Sequence, residues 1–340
     1  MTQNLQGKSV LVSGAGGFIG SALVEALVGQ GARVRAFVRY TSRGEVGLLR
    51  LLAADILREV EVVAGDLRDA SAIEEAAQGV ELIFHLGALI SIPYSYQHPV
   101  EVVETNVMGT LNVLQACRKV GCRLVHTSTS EVYGTALRVP IDEVHPLQGQ
   151  SPYSASKIGA DKLVESYYRS FDVQAVTVRP FNTYGPGQSA RAVIPTIITQ
   201  ALTQDVIRLG NLEARRDFTY VSDTVAGFIK AAEAQGAASV PPTFGGVAGE
   251  TFNLGYGAEI TIGELVEMVG EILGKKLQVE VEDLRLRPEK SEVMRLVSDN
   301  RKAREMLGWQ PQIDIGEGLT KTIAWIREHL DLYQVGRYEV

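Results

Sequence analysis

Short apolar runs alternate with longer amphipathic segments through the first half of the chain. Six runs have the length and β-branched content of buried strands: KSVLVS, ARVRAFVRY, VEVVAGDLRD, VELIFHLGA, CRLVHTSTS and DVQAVTVRP. The segments between them have helical periodicity, as in GSALVEALVGQG, where Leu23, Val24 and Leu27 share one face. This alternation predicts an α/β fold with a doubly wound parallel sheet.

Two long helical patterns complete the first half, in VEVVETNVMGTLNVLQACRKV and PYSASKIGADKLVESYYRSF. After Arg179 the alternation loosens, and RPFNTYGPGQSARAVIP has the composition of a substrate-facing loop. AQGAASVPPTFGGVAGE predicts a mobile surface loop. Further on, the pattern predicts a strand in KLQVEVED and helices in TIGELVEMVGEIL, NRKAREMLG and EGLTKTIAWIREHL.

A glycine-rich turn joins the first predicted strand to the first predicted helix. Gly14, Gly17 and Gly20 have the spacing G-x-x-G-x-x-G, with Phe18 and Ile19 inside it. Glycine lets the backbone approach a pyrophosphate closely, and a helix N-terminus offers free N–H groups and a partial positive charge. The turn therefore predicts a Rossmann-like dinucleotide-binding site.

The end of the second predicted strand bears on the choice between NAD and NADP. An acidic residue there would bind the ribose 2′-hydroxyl. The strand ends instead in Arg39 and Tyr40, with Arg43 close behind and no carboxylate. Arginine suits a 2′-phosphate and favours NADP, whereas NAD is the alternative if Arg39 is a solvated surface residue.

Two lobes are expected from this organisation. Residues 1–180 would form the nucleotide-binding, Rossmann-like domain, with segments near 217–256 returning to it. Residues 181–340 would form mainly a smaller, partly interleaved C-terminal α/β lobe that binds the substrate. A chain of 340 residues is long enough for a sizeable core.

Composition and charge exclude several classes of protein. The net charge of −7 argues against a nucleic-acid footprint. No apolar stretch reaches the roughly 18 residues of a membrane span, and the N-terminal residues lack the pattern of a signal peptide. Cys117 and Cys122 predict reduced thiols rather than a disulfide or a metal site. We expect a cytoplasmic protein that binds no nucleic acid, membrane or metal.

Tyr153 and Lys157 are four residues apart in SPYSASKIGADKL and would share one face of a helix. A Lys ammonium near a Tyr hydroxyl favours the phenolate, so we expect the pKa of Tyr153 to fall toward neutrality. Such a Tyr can take the proton from a sugar hydroxyl while hydride leaves the same carbon. The pair therefore predicts proton-coupled hydride transfer.

Nine strings in order along nearly the whole chain resemble the extended short-chain dehydrogenase/reductase family, in its nucleotide-sugar-modifying branch. They are SGAGGFIGS, GDLRD, HLGALIS, ETNVMGTLNVLQA, TSTSEVYG, SPYSASKIGAD, RPFNTYGP, RRDFTYVSD and RLRPEKSEV. Two positions depart from the family pattern, which often has Thr where this chain has Ser13 and usually has Ala where it has Gly87. The resemblance implies that Thr129 bonds the sugar 4-hydroxyl, that Tyr153 is the base and that Lys157 also holds the nicotinamide ribose.

The resemblance also assigns the remaining cofactor contacts and the assembly. Asp66 and Leu67 would hold the adenine, while Leu86, Gly87 and Ala88 would line the cofactor cleft. Related proteins form a homodimer through a four-helix bundle, to which residues 106–119 and 153–171 of each copy would contribute.

The substrate implied by the resemblance is a nucleotide diphosphate sugar. Asn182 matches a substrate-contacting Asn, and Arg216 and Arg287 match arginines that grip the substrate pyrophosphate, for which a guanidinium fork is well suited. Tyr94 and Arg191 complete the expected substrate contacts, and Tyr94 and Tyr96 are the aromatic residues expected to line the sugar pocket.

Glu131, two positions after Thr129, bears on the reaction. Family members oxidise C4 of the sugar, and the resulting ketone acidifies the C5 proton. Removing that proton and expelling the C6 hydroxyl requires a base and an acid, which a simple 4-epimerase does not need. Glu131 suits the base. The better-known 4,6-dehydratases have Asp-Glu here, so Ser130 in the Asp position leaves the acid unassigned, and a Ser-Glu pair also occurs in enzymes resembling UDP-glucuronate decarboxylases.

Longer strings, among them HLGALISIPYSYQHP and RLRPEKSEV, resemble 4,6-dehydratases acting on nucleotide-linked N-acetylglucosamine, on routes to bacillosamine- or legionaminate-type sugars. We therefore expect a 4-keto-6-deoxy product from UDP- or GDP-N-acetylglucosamine, with NADP or NAD tightly bound and recycled in each turnover. A 4-epimerase and a UDP-glucuronate decarboxylase are the alternatives.

Overall fold

The structure is a computed structural model, and it describes residues 5–235, 246–282, 285 and 288–334. In chain order the strands of these residues are β1 (Ser9–Ser13), β2 (Arg33–Arg39), β3 (Val60–Gly65), β4 (Leu82–His85), β5 (Arg123–Thr127), β6 (Ala175–Pro180), β7 (Asn182–Tyr184), β8 (Val206–Leu209), β9 (Arg215–Arg216), β10 (Phe218–Tyr220), β11 (Thr251–Leu254), β12 (Ile260–Thr261) and β13 (Gln278–Val281).

The α-helices of the same residues are α1 (Phe18–Gly29), α2 (Ala54–Arg58), α3 (Ala70–Ala76), α4 (Ile92–Gln97), α5 (Pro99–Val103), α6 (Gly109–Val120), α7 (Pro152–Phe171), α8 (Val193–Thr203), α9 (Val221–Gln235), α10 (Ile262–Leu273), α11 (Arg301–Leu307) and α12 (Ile315–Glu328). A π-helical turn, Glu104–Met108, joins α5 to α6, and shorter 3-10 turns include Ser130–Tyr133 and Glu289–Ser291.

Within the described residues, seven strands form one parallel sheet in the order β11-β6-β5-β4-β1-β2-β3. The chain leaves β1 toward β2 and β3 and later returns to the other side of β1 with β4. A crevice opens at such a switch point, outside the carboxyl ends of the neighbouring strands. The predicted doubly wound α/β fold is therefore confirmed, and the crevice lies beyond Ser13 and His85.

Alternating side chains of the sheet divide the core into two layers. Val10 and Val12 pack in a cluster with α1 and α9, whereas Leu11 between them packs with residues of α3, α6 and α7. This is the period-two alternation of a strand covered on both faces. Because both faces of the sheet are covered by apolar side chains, its carboxyl edge is the place where polar residues can form a site.

The largest difference from the predicted elements follows Arg179. The stretch expected to be a loop contains β7, which pairs in parallel with β10, and α8 then begins at Val193. A three-residue strand has too few positions to show periodicity, and its partner is distant in the chain. The core of the loop predicted near residue 240 lies outside the described residues, and the division near residue 180 stays a prediction.

Asp217, between β9 and β10, joins its own turn to two other segments of the chain. Its buried carboxylate accepts the backbone N–H groups of Tyr256 at 2.8 Å, Gly257 at 2.9 Å and Ser298 at 3.0 Å. Burial raises the pKa of this carboxyl to about 6. The short pairs β8–β13 and β9–β12 are held in the same region.

Cys117 and Cys122 are free and buried on the α6 side of the sheet. None of the helices in the described residues has the length and apolarity needed to cross a membrane.

Candidate active site

The glycine turn after β1 lines the crevice with backbone atoms rather than with side chains. Gly17 precedes α1, and no side chain of the described residues caps this helix end. Gly14 has a φ of +72°, and a Cβ there would lie 2.7 Å from the backbone nitrogen of Gly87. A Cβ at Gly20 would collide with the Gly14 carbonyl oxygen. An uncapped helix N-terminus behind a bare glycine backbone fits the pyrophosphate of a dinucleotide.

The segment after β4 forms the opposite side of the same crevice. The Leu86 N–H donates to the Ser13 carbonyl at 3.1 Å, and the Ser13 hydroxyl accepts the Gly87 N–H at 3.2 Å. A Cβ at Gly87 would lie 2.7 Å from Leu67 Cδ1, so Leu67 packs directly against this glycine. These contacts bring together Gly14, Ser13, Leu67 and Leu86–Ala88, as the expected cofactor cleft requires.

Charged residues surround the expected adenosine end. Asp66 accepts from the Arg68 guanidinium at 2.7 Å, and that contact holds the pKa of Asp66 below its usual value. Arg39 is 65% exposed and lies 3.6 Å from Glu101. Tyr94 donates its hydroxyl to the same Glu101 at 2.5 Å. The guanidinium of Arg39 is therefore open to a ligand at the carboxyl edge of β2.

A capped helix positions the Tyr–Lys pair. The Ser151 hydroxyl accepts the Ser154 N–H at 3.1 Å, while the Ser154 hydroxyl accepts the Ser151 N–H at 3.0 Å, forming a reciprocal cap. Tyr153 lies in the first turn of α7 and Lys157 one turn later, and both side chains are buried. The Lys157 ammonium donates to the Thr127 carbonyl at 2.7 Å.

The predicted fall in the pKa of Tyr153 is wrong for this structure. Burial raises that pKa above its usual value, and the Glu131 charge adds to the rise, while a hydrogen bond with Thr129 opposes it. Burial also lowers the pKa of Lys157 to about 8. Both groups lose solvation, and the ammonium is held by a carbonyl rather than by the phenol.

The turn after β5 carries the remaining candidate catalytic residues. The Thr129 hydroxyl accepts the Glu131 N–H at 3.2 Å and so begins the 3-10 turn. Glu131 is half-buried, and its charge acts on Tyr153. Ser130 is buried beneath the turn. The structure therefore brings Thr129, Glu131 and Tyr153 together.

A cavity of about 960 Å³ lies between the sheet edge and the smaller lobe. Asn182, Arg191 and Arg216 line it, as predicted for substrate contacts, and Arg216 lies 3.3 Å from Glu292. Tyr94 does not line this cavity, because its hydroxyl is turned to Glu101, whereas Tyr96 on the same helix does. Arg287 lies outside the described residues.

Two further residues of this region carry no sequence prediction. Arg285, the first residue of RLRPEKSEV, lines the cavity and pairs with Glu282 at 2.7 Å, whereas the resemblance assigned the pyrophosphate contact in that string to Arg287. Asp161 lies buried one turn after Lys157, and the four-residue spacing along α7 was the signal that could have identified it.

A family model described as GDP-mannose 4,6 dehydratase matches residues 11–322. A UDP-glucose 4-epimerase of Mycolicibacterium smegmatis is 34% identical, with 93% of this chain and 98% of the relative covered. UDP-glucuronic acid decarboxylase 1 of Arabidopsis thaliana is 32% identical over 94% of this chain and 70% of the relative. The solved dTDP-glucose 4,6-dehydratase DesIV from Streptomyces venezuelae, with NAD and TYD bound, has a TM-score of 0.83 and 30% identity, covering 96% of this chain and 99% of that one.

Replacing Gly20 with alanine should weaken binding of NADH and NADPH by about tenfold or more, because the added Cβ displaces the Gly14 carbonyl and the loop around it. Gly29→Ala in the same helix is the matched control, since a Cβ there meets nothing within 4 Å. Fluorescence titration measures both. Equal affinities in the two variants would contradict a dinucleotide site at this turn.

Proposed function

The chain belongs to the family described as GDP-mannose 4,6 dehydratase, and from that premise we propose that it is a nucleotide-sugar 4,6-dehydratase acting on UDP- or GDP-linked N-acetylglucosamine. It is an enzyme of the NAD-dependent nucleotide-sugar dehydratase and epimerase family. Epimerase and decarboxylase relatives are as similar to it as dehydratases are. Overall sequence identity therefore does not distinguish the possible reactions, and the choice rests on the residues of the site.

Glu131 is the observation that favours elimination over simple 4-epimerisation, and the longer strings such as HLGALISIPYSYQHP and RLRPEKSEV favour the dehydratase over the decarboxylase. Its half-buried carboxylate follows the Thr129 cap and lies close enough to Tyr153 for its charge to act on the phenol. A base at that place can remove the C5 proton of a 4-keto sugar. A 4-epimerase has no need of such a group, so Glu131 favours elimination.

The proposed reaction uses Thr129, Tyr153 and Glu131 in turn. Thr129 holds the sugar 4-hydroxyl, and Tyr153 takes its proton as C4 is oxidised. A nicotinamide dinucleotide at the glycine turn would supply the hydride chemistry. Glu131 then removes the C5 proton while the C6 hydroxyl, protonated by an acid still to be assigned, leaves as water. Return of the hydride to C6 and of a proton to C5 completes the 4-keto-6-deoxy sugar. Because burial raises its pKa, Tyr153 is protonated in the protein alone, and we infer that it acts as a base only once ligands fill the crevice.

The cofactor is a nicotinamide dinucleotide, and we propose NADP. The Streptomyces venezuelae relative with NAD bound supports the dinucleotide, and NAD is the alternative for this chain. The exposed guanidinium of Arg39 at the carboxyl edge of β2 supports NADP, because it can meet a 2′-phosphate there.

We also propose a homodimer in which α6 and α7 of two copies form a four-helix bundle. Large apolar side chains exposed on or beside these helices support it: Val100, Val103, Met108 and Phe171. Exposed apolar side chains of this size are typical of interaction surfaces.

Product analysis tests the proposed reaction. Incubated with UDP-N-acetylglucosamine and GDP-N-acetylglucosamine, the enzyme should convert one of them to a product lighter by one water, identified by mass spectrometry and NMR as a 4-keto-6-deoxy sugar. UDP-glucuronate serves as the comparison substrate. Release of CO₂ from it, or a 4-epimer from the other two, would overturn the proposal.

Glu131→Gln should separate the two halves of the reaction. Tyr153 and Lys157 remain, so C4 oxidation should persist, while loss of the base should slow dehydration by about 10²- to 10⁴-fold. Single-turnover absorbance of the reduced nicotinamide measures the stall, and Tyr153→Phe should abolish reduction itself. Glu165→Gln on the exposed side of α7 is the control. Normal dehydration by Glu131→Gln would assign the base elsewhere.

Arg39→Ala should lower the affinity for NADPH by about tenfold while changing that for NADH little, since only a 2′-phosphate loses its charged partner. Calorimetric titration of both cofactors gives the ratio, with Arg33→Ala, exposed at the opposite end of β2, as the control. An equal loss for the two cofactors, or none for NADPH, would favour NAD.

A further inference from the structure

A buried ionic cluster lies behind the Tyr–Lys pair, and the proposed reaction does not use it. Asp161 of α7 is 7% exposed. Its Oδ2 accepts from the Ser128 hydroxyl at 2.9 Å and from Arg179 Nη2 at 2.9 Å and Nε at 3.2 Å, and its Oδ1 lies 3.2 Å from His126 Nε2. One carboxylate therefore ties α7 to the ends of β5 and β6.

The partners of Asp161 flank the backbone group that holds Lys157. His126 and Ser128 lie on either side of Thr127, whose carbonyl accepts the Lys157 ammonium at 2.7 Å. The Ser128 N–H also donates to the Val178 carbonyl at 2.8 Å. The hydrogen bonds of His126 and Ser128, the residues before and after Thr127, thus fix the position of the Thr127 carbonyl.

Arg179 extends the cluster to the turn that carries Glu131. Its Nη1 donates to the Tyr133 hydroxyl at 2.9 Å, and that hydroxyl donates to Asn253 Oδ1 at 2.7 Å. The guanidinium also lies over the Tyr133 ring, 5.0 Å from its centre. Tyr133 ends the 3-10 turn that Thr129 begins, so both ends of that turn are fixed.

The charges around Lys157 leave Asp161 as its counter-charge. Burial lowers the pKa of His126 on β5 and of His85 on β4, so both rings are neutral at pH 7. Tyr153 is a neutral phenol at that pH, because burial raises its pKa, and Arg179 on β6 is itself paired with Asp161. Burial lowers the pKa of Lys157 to about 8 while the charge of Asp161 opposes that fall, and the pKa of Asp161 is about 2.

We propose that Asp161 is a positioning residue for this reaction: it fixes the Thr127 carbonyl that receives the Lys157 ammonium, and its negative charge, which it shares with Arg179, favours the charged form of this ammonium inside the fold. The role of Lys157 in turnover rests on the proposed function, whereas its contacts with the cluster do not. Within the described residues, the hydrogen-bond partners of Asp161 are His126, Ser128 and Arg179, and none of them lines the cavity. Asp161 therefore acts on the reaction through Lys157 and the 3-10 turn.

The test is the titration of Lys157 in the full chain, followed by NMR of ¹³Cε-labelled lysine and assigned with Lys157→Met. Asp161→Asn should lower the midpoint by about one pH unit or more, because an ammonium without its counter-charge loses its proton more easily. In Asp161→Glu, which keeps the negative charge, the Lys157 midpoint should lie close to its wild-type pH. Asp172→Asn, at the end of the same helix, is the matched control and should leave it unchanged.

Turnover supplies a second readout. A neutral Lys157 is inactive in the proposed reaction, so the alkaline limb of the rate profile should move to lower pH in Asp161→Asn by the same amount, and back in Asp161→Glu. If the wild-type protein transforms no nucleotide sugar, the proposed function fails, but the NMR midpoint still decides the role of Asp161.

Folding is checked by circular dichroism. If Asp161→Asn does not fold because Arg179 is left unpaired, Asp161→Asn with Arg179→Met removes both charges and carries the test, with a smaller expected fall in the midpoint, because loss of the Arg179 charge offsets part of the loss of the Asp161 charge. An unchanged Lys157 midpoint in either folded variant would overturn the proposal. Failure of both to fold would also overturn it, since Asp161 would then be a requirement of the core rather than a positioning group.

Discussion

The contact between the Lys157 ammonium and the Thr127 carbonyl is the one on which the site depends. A buried ammonium is unfavourable unless it is paired and hydrogen-bonded. Here the end of β5 supplies the carbonyl at 2.7 Å and α7 supplies the lysine. The contact therefore fixes the helix against the carboxyl edge of the sheet, with Tyr153 one turn earlier and Thr129 two residues after the carbonyl.

The parallel sheet makes that geometry possible. Its switch point between β1 and β4 opens the crevice in which Gly14 packs against Gly87, and β5 and β6 continue the same edge toward the cavity. The crevice proposed for the dinucleotide, the Tyr–Lys pair and the cavity proposed for the substrate thus lie along one edge of the sheet. Their relation follows from strand order and not from proximity in sequence.

Features set by local pattern were predictable from the sequence, and features set by distant contacts were not. The glycine turn and α7 carry their own spacing and caps, and both lie where they were expected. The pairing of β7 with β10 and the turn of Tyr94 toward Glu101 depend on partners far along the chain or on side-chain orientation. The pKa of Tyr153 differs from the prediction because burial, which a motif does not show, raises it.

The central claim is that the oxidised C4 is an intermediate and that its hydrogen is delivered to C6. The most direct test uses N-acetylglucosamine nucleotides carrying deuterium at C4. We predict a product lighter by one water, with the deuterium at C6 by NMR. A product of unchanged mass with deuterium still at C4 would show an epimerase and contradict the account.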